Sequence, residues 1–222
     1  MGLLKLNMPT ALKIDFVSDV SCPWCIIGLK ALEQAIERIG PAINIDLTFQ
    51  PFELNPTMPA SGQDVMEHLT QKYGGTAEDM QRNRETIRQR GAQLGFTFSM
   101  DKRSRIYNTF DAHRLLHWGH IEGRQRELKH ALFDAYFTDG IDISSHSVLA
   151  EVACRAGLDP VRAAQLLASN AFATEVRASE KMYLDRGIHS VPAVIINNEH
   201  LISGGQPVEL FEKALRRIAA TL

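Results

Sequence analysis

Cysteine is scarce in this chain, with three in 222 residues. That is too few for a scaffold held by disulfides, and a chain of this length builds a core that needs none. The scarcity points to a reducing compartment. Charge of one sign is scarce too. Lys and Arg number 24 against 26 Asp and Glu, a formal net charge of −2, so no bulk field draws the chain to nucleic acid or an acidic membrane. No run approaches the roughly 20 apolar residues of a membrane-spanning helix. The opening MGLLKLNMPTALKIDF is broken by Asn7, Pro9 and Lys13, where a secretory leader would be continuously apolar. The expectation is a soluble, cytoplasmic protein that binds neither nucleic acid nor membrane. Met8 is an alternative start, which leaves the residues before it as a loose extension.

What is present is an ordinary globular profile, 45% hydrophobic and 23% charged, with a pattern at its start. Leu12-Lys13-Ile14-Asp15-Phe16 alternates with period two, the mark of a strand. From Pro23, Leu29, Leu32, Ile36 and Ile39 fall on one helical stripe that stops at Gly40-Pro41. Ile43, Ile45, Leu47 and Phe49 alternate again, and the crossover is long enough to make the two strands parallel. Near the end, Ala193 to Ile196 is an apolar run, Asn197-Asn198-Glu199 a turn, and 200–203 an antiparallel return. Pro207 then opens a helix with Val208, Phe211, Leu215 and Ile218 on one face.

Between these halves the pattern is helical, over 64–73, 77–94, 106–121, 126–137, 146–156, 160–169 and 172–186. Thr76 with Asp79, Asp159-Pro160, and Gly95, Gly157 and Gly187 supply starts and stops. The expected organisation is βαβ over 12–62, a helical insertion over 63–186, and ββα over 187–222.

The chemistry sits where the first strand passes into the first helix, in VSDVSCPWCIIG. Cys22 and Cys25 are two residues apart, and Pro23 suits the first helical position, which places Cys22 near the N-cap and Cys25 in the first turn. Unpaired N–H groups and the helix dipole there favour a thiolate. Cys22, at the more exposed edge, is the expected attacking thiol and Cys25 the resolving one. Trp24 covers apolar surface beside them, and Pro23 and Trp24 tune the potential. A zinc site would need more ligands than Cys154 and the scattered histidines supply. A purely structural bridge across so small a loop would constrain the unfolded chain little.

A second signal is His189-Ser190-Val191-Pro192-Ala193, which enters the apolar run near the end. Alone, Pro192 reads as a trans proline at the first residue of a strand, where a missing donor is tolerated. Together, SCPWC after the first strand and SVPAVII before the third resemble the thioredoxin fold, and the helical insertion resembles the DsbA family. FELNPTMP from Phe52, NTFDAHRLLHWG from Asn108 and ISGGQP from Ile202 are similar to its FrnE-like branch.

The resemblance, which runs from Lys13 onward, implies an α/β thioredoxin-like fold with a large all-helical insertion. It implies a disulfide oxidoreductase or isomerase with no cofactor and no metal, acting on thiol- or disulfide-containing proteins, with glutathione as a further candidate. Cys22 and Cys25 would be the redox pair, and Pro192 a cis proline facing them with Val191 adjacent. Related glutathione-dependent transferases and 2-hydroxychromene-2-carboxylate isomerases share the fold, so such an activity is the alternative. Those proteins typically carry serine in place of the attacking cysteine, whereas this chain keeps both thiols. A chaperone-like binding module using the groove beside Pro192 is a third possibility.

Several other residues are candidates of lesser weight. His113 and Arg114 could line the cleft and favour the thiolate, or simply pack. His189 could approach the sulfurs from its loop. Asp19 would raise the thiol pKa if close, or merely end the strand. Cys154, among Val148, Leu149, Val152 and Ala153, is expected to be buried and inert. The charges over 82–90 read as a solvated helix face.

Overall fold

The structure, a computed structural model, describes residues 10–222. The alternative start at Met8 and the extension before it lie outside those residues. Strand β1 (Thr10–Ser18) leads into α1 (Pro23–Ile39), a 3-10 turn at Gly40–Ala42, and β2 (Ile43–Pro51) parallel to β1. Gly40 makes the turn at φ 64°, a conformation that costs a residue without Cβ nothing. At the other end β5 (Ala193–Ile196) pairs antiparallel with β1 and with β6 (His200–Ser203), which α9 (Val208–Ala219) follows. The sheet order is β2-β1-β5-β6. The opening and closing patterns therefore fold as expected.

β1 is central, and helices cover both its faces. Leu12, Ile14 and Phe16 share a core with α1 and with Val208, Phe211, Leu215 and Ile218 of α9. Val17, with Ala193 and Ile195, meets Tyr183 from the other side. The period-two pattern predicts Lys13 and Asp15 on a polar face, yet Asp15 is buried, and its carboxylate accepts from Gln50 Nε2 at 2.7 Å.

The insertion contains β3 (Gln63–Asp64), α2 (Val65–Tyr73), α3 (Ala77–Gln93), β4 (Arg105–Ile106), α4 (Phe110–Ile121), α5 (Gln125–Phe133), a π-helical turn (Asp134–Thr138), α6 (His146–Arg155), α7 (Pro160–Leu167) and α8 (Ala173–Asp185). Thr76 and Asp79 form a reciprocal capping box, and Asp159 caps α7 ahead of Pro160. Two expectations are corrected. The helix over 106–121 begins only at Phe110, because Arg105–Ile106 pairs with Gln63–Asp64 in a two-residue ribbon too short to leave a periodic trace. The helix over 126–137 is regular only to Phe133, after which the chain widens into the π turn. Among the described residues no helix is long and apolar enough to cross a membrane.

Candidate active site

Cys22 is the N-cap of α1, extended at φ −93° and ψ 114°, and Pro23 follows as the first helical residue. The Cys22 N–H donates to Asp19 O at 3.2 Å and the Cys25 N–H to Cys22 O at 3.1 Å, so a tight turn places both sulfurs at one end of the helix. Both thiols are free. Cys22 is 4% exposed and Cys25 0%. Cys22 is the more exposed of the two, as expected, but it is nearly covered, because it belongs to the main hydrophobic core.

The two thiols titrate apart. The Cys25 thiol donates to the Cys22 sulfur and holds Cys22 below the ordinary thiol range; the Cys25 and Trp24 N–H groups add to this, against burial and the Asp19 charge. Burial and that same donated hydrogen push Cys25 well above its ordinary value. Cys22 therefore gives up its proton more readily than an ordinary thiol and Cys25 less readily.

Opposite the pair, the Val191–Pro192 bond is cis. Cys22 Sγ lies 3.9 Å from Val191 O, within reach of a thiol hydrogen bond. Pro192 reaches α1 at Gly28, where an added Cβ would stand 3.0 Å from Pro192 Cγ and 3.4 Å from Gly205 Cα. The Gly204 N–H donates to Pro192 O at 2.8 Å, with Gly204 at φ 82°. The two glycines of the ISGGQP stretch do different work: Gly204 takes the positive φ, and Gly205 lets the loop lie against α1, where an added Cβ would stand 3.1 Å from Trp24 O.

The other two stretches converge on Asp19, which is fully buried three residues before Cys22. Its Oδ2 accepts the Leu54 N–H at 2.7 Å and its Oδ1 the Ser21 N–H at 3.1 Å. His113 Nε2 stands 3.6 Å from Oδ1 and 3.1 Å from Phe52 O. Burial disfavours the Asp19 charge, but the His113 ring and the two N–H groups outweigh it and hold the pKa below the usual carboxylate value. Asp19 thus fills both expected roles, closing the turn after β1 and raising the Cys22 pKa. His113 is at the site but works on Asp19.

Arg114 does not face the thiols. Its guanidinium donates to the carbonyls of Leu166, Ser169 and Ala171 and to Asp111, tying α4 to the end of α7. His189 is exposed. Cys154 is exposed, not buried, because it sits one position past the stripe of Leu149, Val152 and Ala153 and the helix turns it outward. Trp24 is half-buried, with Arg90 5.6 Å from its ring centroid. Among the described residues no three His, Cys, Asp or Glu side chains cluster as metal ligands.

Three groups near the site escape the sequence patterns. Lys72 Nζ donates to Leu54 O at 2.8 Å and Asn55 Oδ1 at 2.7 Å, fixing the stretch that reaches Asp19. Glu53 and Glu180 are buried around Arg177; burial raises both carboxyls, and at Glu53 the Glu180 charge adds to it. Lys129 is wholly buried in α5. Its one available signal was a charged residue four positions before Phe133, on the apolar side of its helix.

A DSBA-like thioredoxin domain model matches residues 13–216 of this chain. The crystal structure of a probable DsbA oxidoreductase from Streptomyces coelicolor is 32% identical, covers 93% of this chain and 89% of its own, and superposes with a TM-score of 0.85. A cytosolic disulfide reductase, DsbM from Pseudomonas aeruginosa, is 15% identical over 95% of this chain and 100% of its own, with a TM-score of 0.67. A 2-hydroxychromene-2-carboxylate isomerase shares the fold at 16% identity, 94% and 97% coverage, and a TM-score of 0.67.

Proposed function

The chain belongs to the DSBA-like thioredoxin domain family, and from that premise we propose that it exchanges disulfides with protein or small-molecule thiols through Cys22 and Cys25. The observation that carries this is geometric: two free thiols at the N-terminus of α1, with Cys22 Sγ 3.9 Å from Val191 O of the cis Val191–Pro192 bond. The Cys22 thiolate attacks a substrate disulfide, forming a Cys22–substrate bond and releasing the distal substrate sulfur as thiolate. Cys25, once deprotonated, attacks Cys22 sulfur and releases the second substrate thiolate. Two electrons pass to the substrate and an intramolecular disulfide remains. The reverse sequence oxidises a dithiol.

Pro192, which has no N–H to offer, leaves the edge beside Val191 free for substrate backbone. Val191 lines that edge, Pro23 and Trp24 fill the turn between the sulfurs, and His113 supports Asp19. The FrnE-like branch is the finer placement, which the three stretches meeting at Asp19 and Pro192 support. Sparse cysteine usage supports a reducing compartment, the cytoplasm. Glutathione is the first small thiol to test, since the Pseudomonas reductase was crystallised with it.

The test is exchange with a disulfide-bonded protein and with oxidised glutathione, each followed with mass mapping of the Cys22–Cys25 bond. Cys22→Ser should abolish both reactions. Full exchange in that variant overturns the reading. Glutathione-dependent turnover of an aromatic substrate, with Cys25 unchanged in redox state, would point to the transferase or isomerase alternative.

A further inference from the structure

β2 is an edge strand of the sheet, and beside it α4 and α8 leave a cavity of about 220 Å³. No residue of the thiol pair, its turn or the Val191–Pro192 loop lines it. The volume admits one aromatic ring, since a dry cavity of about 150 Å³ holds benzene. Phe49, Pro51, Leu116 and Val176 supply apolar walls, and His120, the one exposed residue of the lining, opens it to solvent. The lining contains no Lys, Arg, Asp or Glu, so an ionised ligand would enter without a side chain of fixed opposite charge to meet it.

The polar groups of the lining have a set direction. The Gln125 amide is taken by Phe49, whose N–H and C=O it meets at 3.0 and 2.9 Å, clamping α5 to β2. Gln50 is oriented by the buried Asp15: its Nε2 donates to the Asp15 carboxylate at 2.7 Å, which leaves its Oε1 to accept. Ser179 gives its only hydroxyl hydrogen to that Oε1, at 3.2 Å, so its oxygen is left with lone pairs alone. A ligand that meets Ser179 has to bring a donor. On α4, the His117 ring lies against Phe172, with centroids 5.0 Å apart, and its nitrogens have no hydrogen-bond partner among the described residues. Burial lowers the His117 pKa and His120 adds to this, against Glu175. An uncharged imidazole offers one donor and one acceptor, as does the Thr48 hydroxyl. A ligand hydroxyl, which both donates and accepts, matches this set. A carboxylate only accepts, and would turn its charge toward the Ser179 lone pairs.

We propose that this cavity is a binding site for a small uncharged phenol, its ring held between α4 and α8 and its hydroxyl donating to Ser179 Oγ. The phenol oxygen then accepts from Thr48 or His117. Nothing in the site requires the thiols to react. His113 nevertheless belongs to both places: it lines the cavity, and its Nε2 stands 3.1 Å from Phe52 O and 3.6 Å from Asp19 Oδ1. A bound ring therefore rests against the residue that supports Asp19.

The experiment follows the fluorine signals of 4-fluorophenol, 4-fluorotoluene and 4-fluorobenzoate as each is titrated with the full chain at neutral pH, where a phenol keeps its proton. A ligand of this size should bind with a Kd on the order of 1 mM. 4-Fluorophenol should bind several-fold tighter than the other two, the worth of one hydrogen bond. Ser179→Ala removes the acceptor, and should erase the advantage of 4-fluorophenol over 4-fluorotoluene while leaving 4-fluorotoluene as it was. Ser179→Phe puts a ring into the cavity and should abolish binding of all three. Equal binding of the three probes, tighter binding of 4-fluorobenzoate, or no signal change at several times the expected Kd overturns the proposal. So does an advantage of 4-fluorophenol that survives Ser179→Ala, or binding that survives Ser179→Phe.

Discussion

Cys22 and Cys25 face each other at the start of α1 and shift in opposite directions: the neighbouring Cys25 thiol draws Cys22 downward, while burial first and Cys22 second push Cys25 upward. A dithiol so arranged is asymmetric before any substrate arrives. Alkylation of the reduced protein, with Cys154 replaced, should therefore modify Cys22 first, with a pH midpoint below that of an ordinary thiol. Cys25→Ala removes the donor and should move that midpoint upward. A midpoint equal in the two proteins would show that the contact does not set the reactivity.

Asp19 opposes the thiolate that the helix end favours, yet it also closes the turn. Each of its oxygens accepts a backbone N–H, from Ser21 and from Leu54. In Asp19→Asn one of those donors must face the amide NH₂, at a cost of about 1–3 kcal/mol. The same change removes a negative charge beside Cys22, so the alkylation midpoint should fall further. Because the folded-state pKa of Asp19 is depressed, its contribution is present above its unfolded value and lost as pH falls through the folded one. The stability gap between parent and variant should accordingly narrow below about pH 4. A gap constant into acid, by denaturant titration, would remove Asp19 as the source.

Much of this site could be read from residue patterns, and the limits have physical causes. Cys22 and Cys25 were legible because local chemistry marks them, with a proline at the first helical position; Pro192 by its local pattern alone reads as an ordinary trans proline, and only the resemblance implied the cis bond that the structure has. His113 was placed near the site, but its target was not, since nothing in α4 says that an aspartate from the β1–α1 turn and a carbonyl from the segment after β2 will meet its ring. Arg114 lay equally close in sequence and binds carbonyls elsewhere, because one helical residue turns a side chain by about 100°. Cys154 was misplaced for the same reason. Lys129 was missed because one charge on an apolar stripe is ordinarily an error of phase; only the tertiary clamp by Gln125 makes it a buried cation.

That clamp is itself testable. β2 is an edge strand, and the Gln125 side chain supplies Phe49 with the donor and acceptor that a further strand would have given. Gln125→Ala leaves both backbone groups unpaired. A cavity lined by Phe49, His117 and Gln125 runs alongside, so water can reach them and should hold the loss to about 1–3 kcal/mol. Thermal or denaturant unfolding measures it. An unchanged stability would mean that the strand edge had been satisfied from elsewhere.

Gly28 separates effects on stability from effects on substrate binding. It sits within α1, where alanine would ordinarily add about 1 kcal/mol of helix propensity. Here the added methyl would stand 3.0 Å from Pro192 Cγ and 3.4 Å from Gly205 Cα, a crowding that costs about 1–3 kcal/mol when neighbours cannot retreat. Retreat is restricted because Gly204 ties Pro192 from behind and Gly205 already lies close to Trp24 O. The net loss in stability is about 0–2 kcal/mol, but the Val191–Pro192 edge must shift. If that edge holds substrate backbone, Gly28→Ala should slow exchange with a protein disulfide several-fold more than exchange with a small aromatic disulfide, which needs only the Cys22 sulfur. Equal slowing of both would locate the damage at the sulfur, and no slowing of either would mean that the edge takes no part in binding.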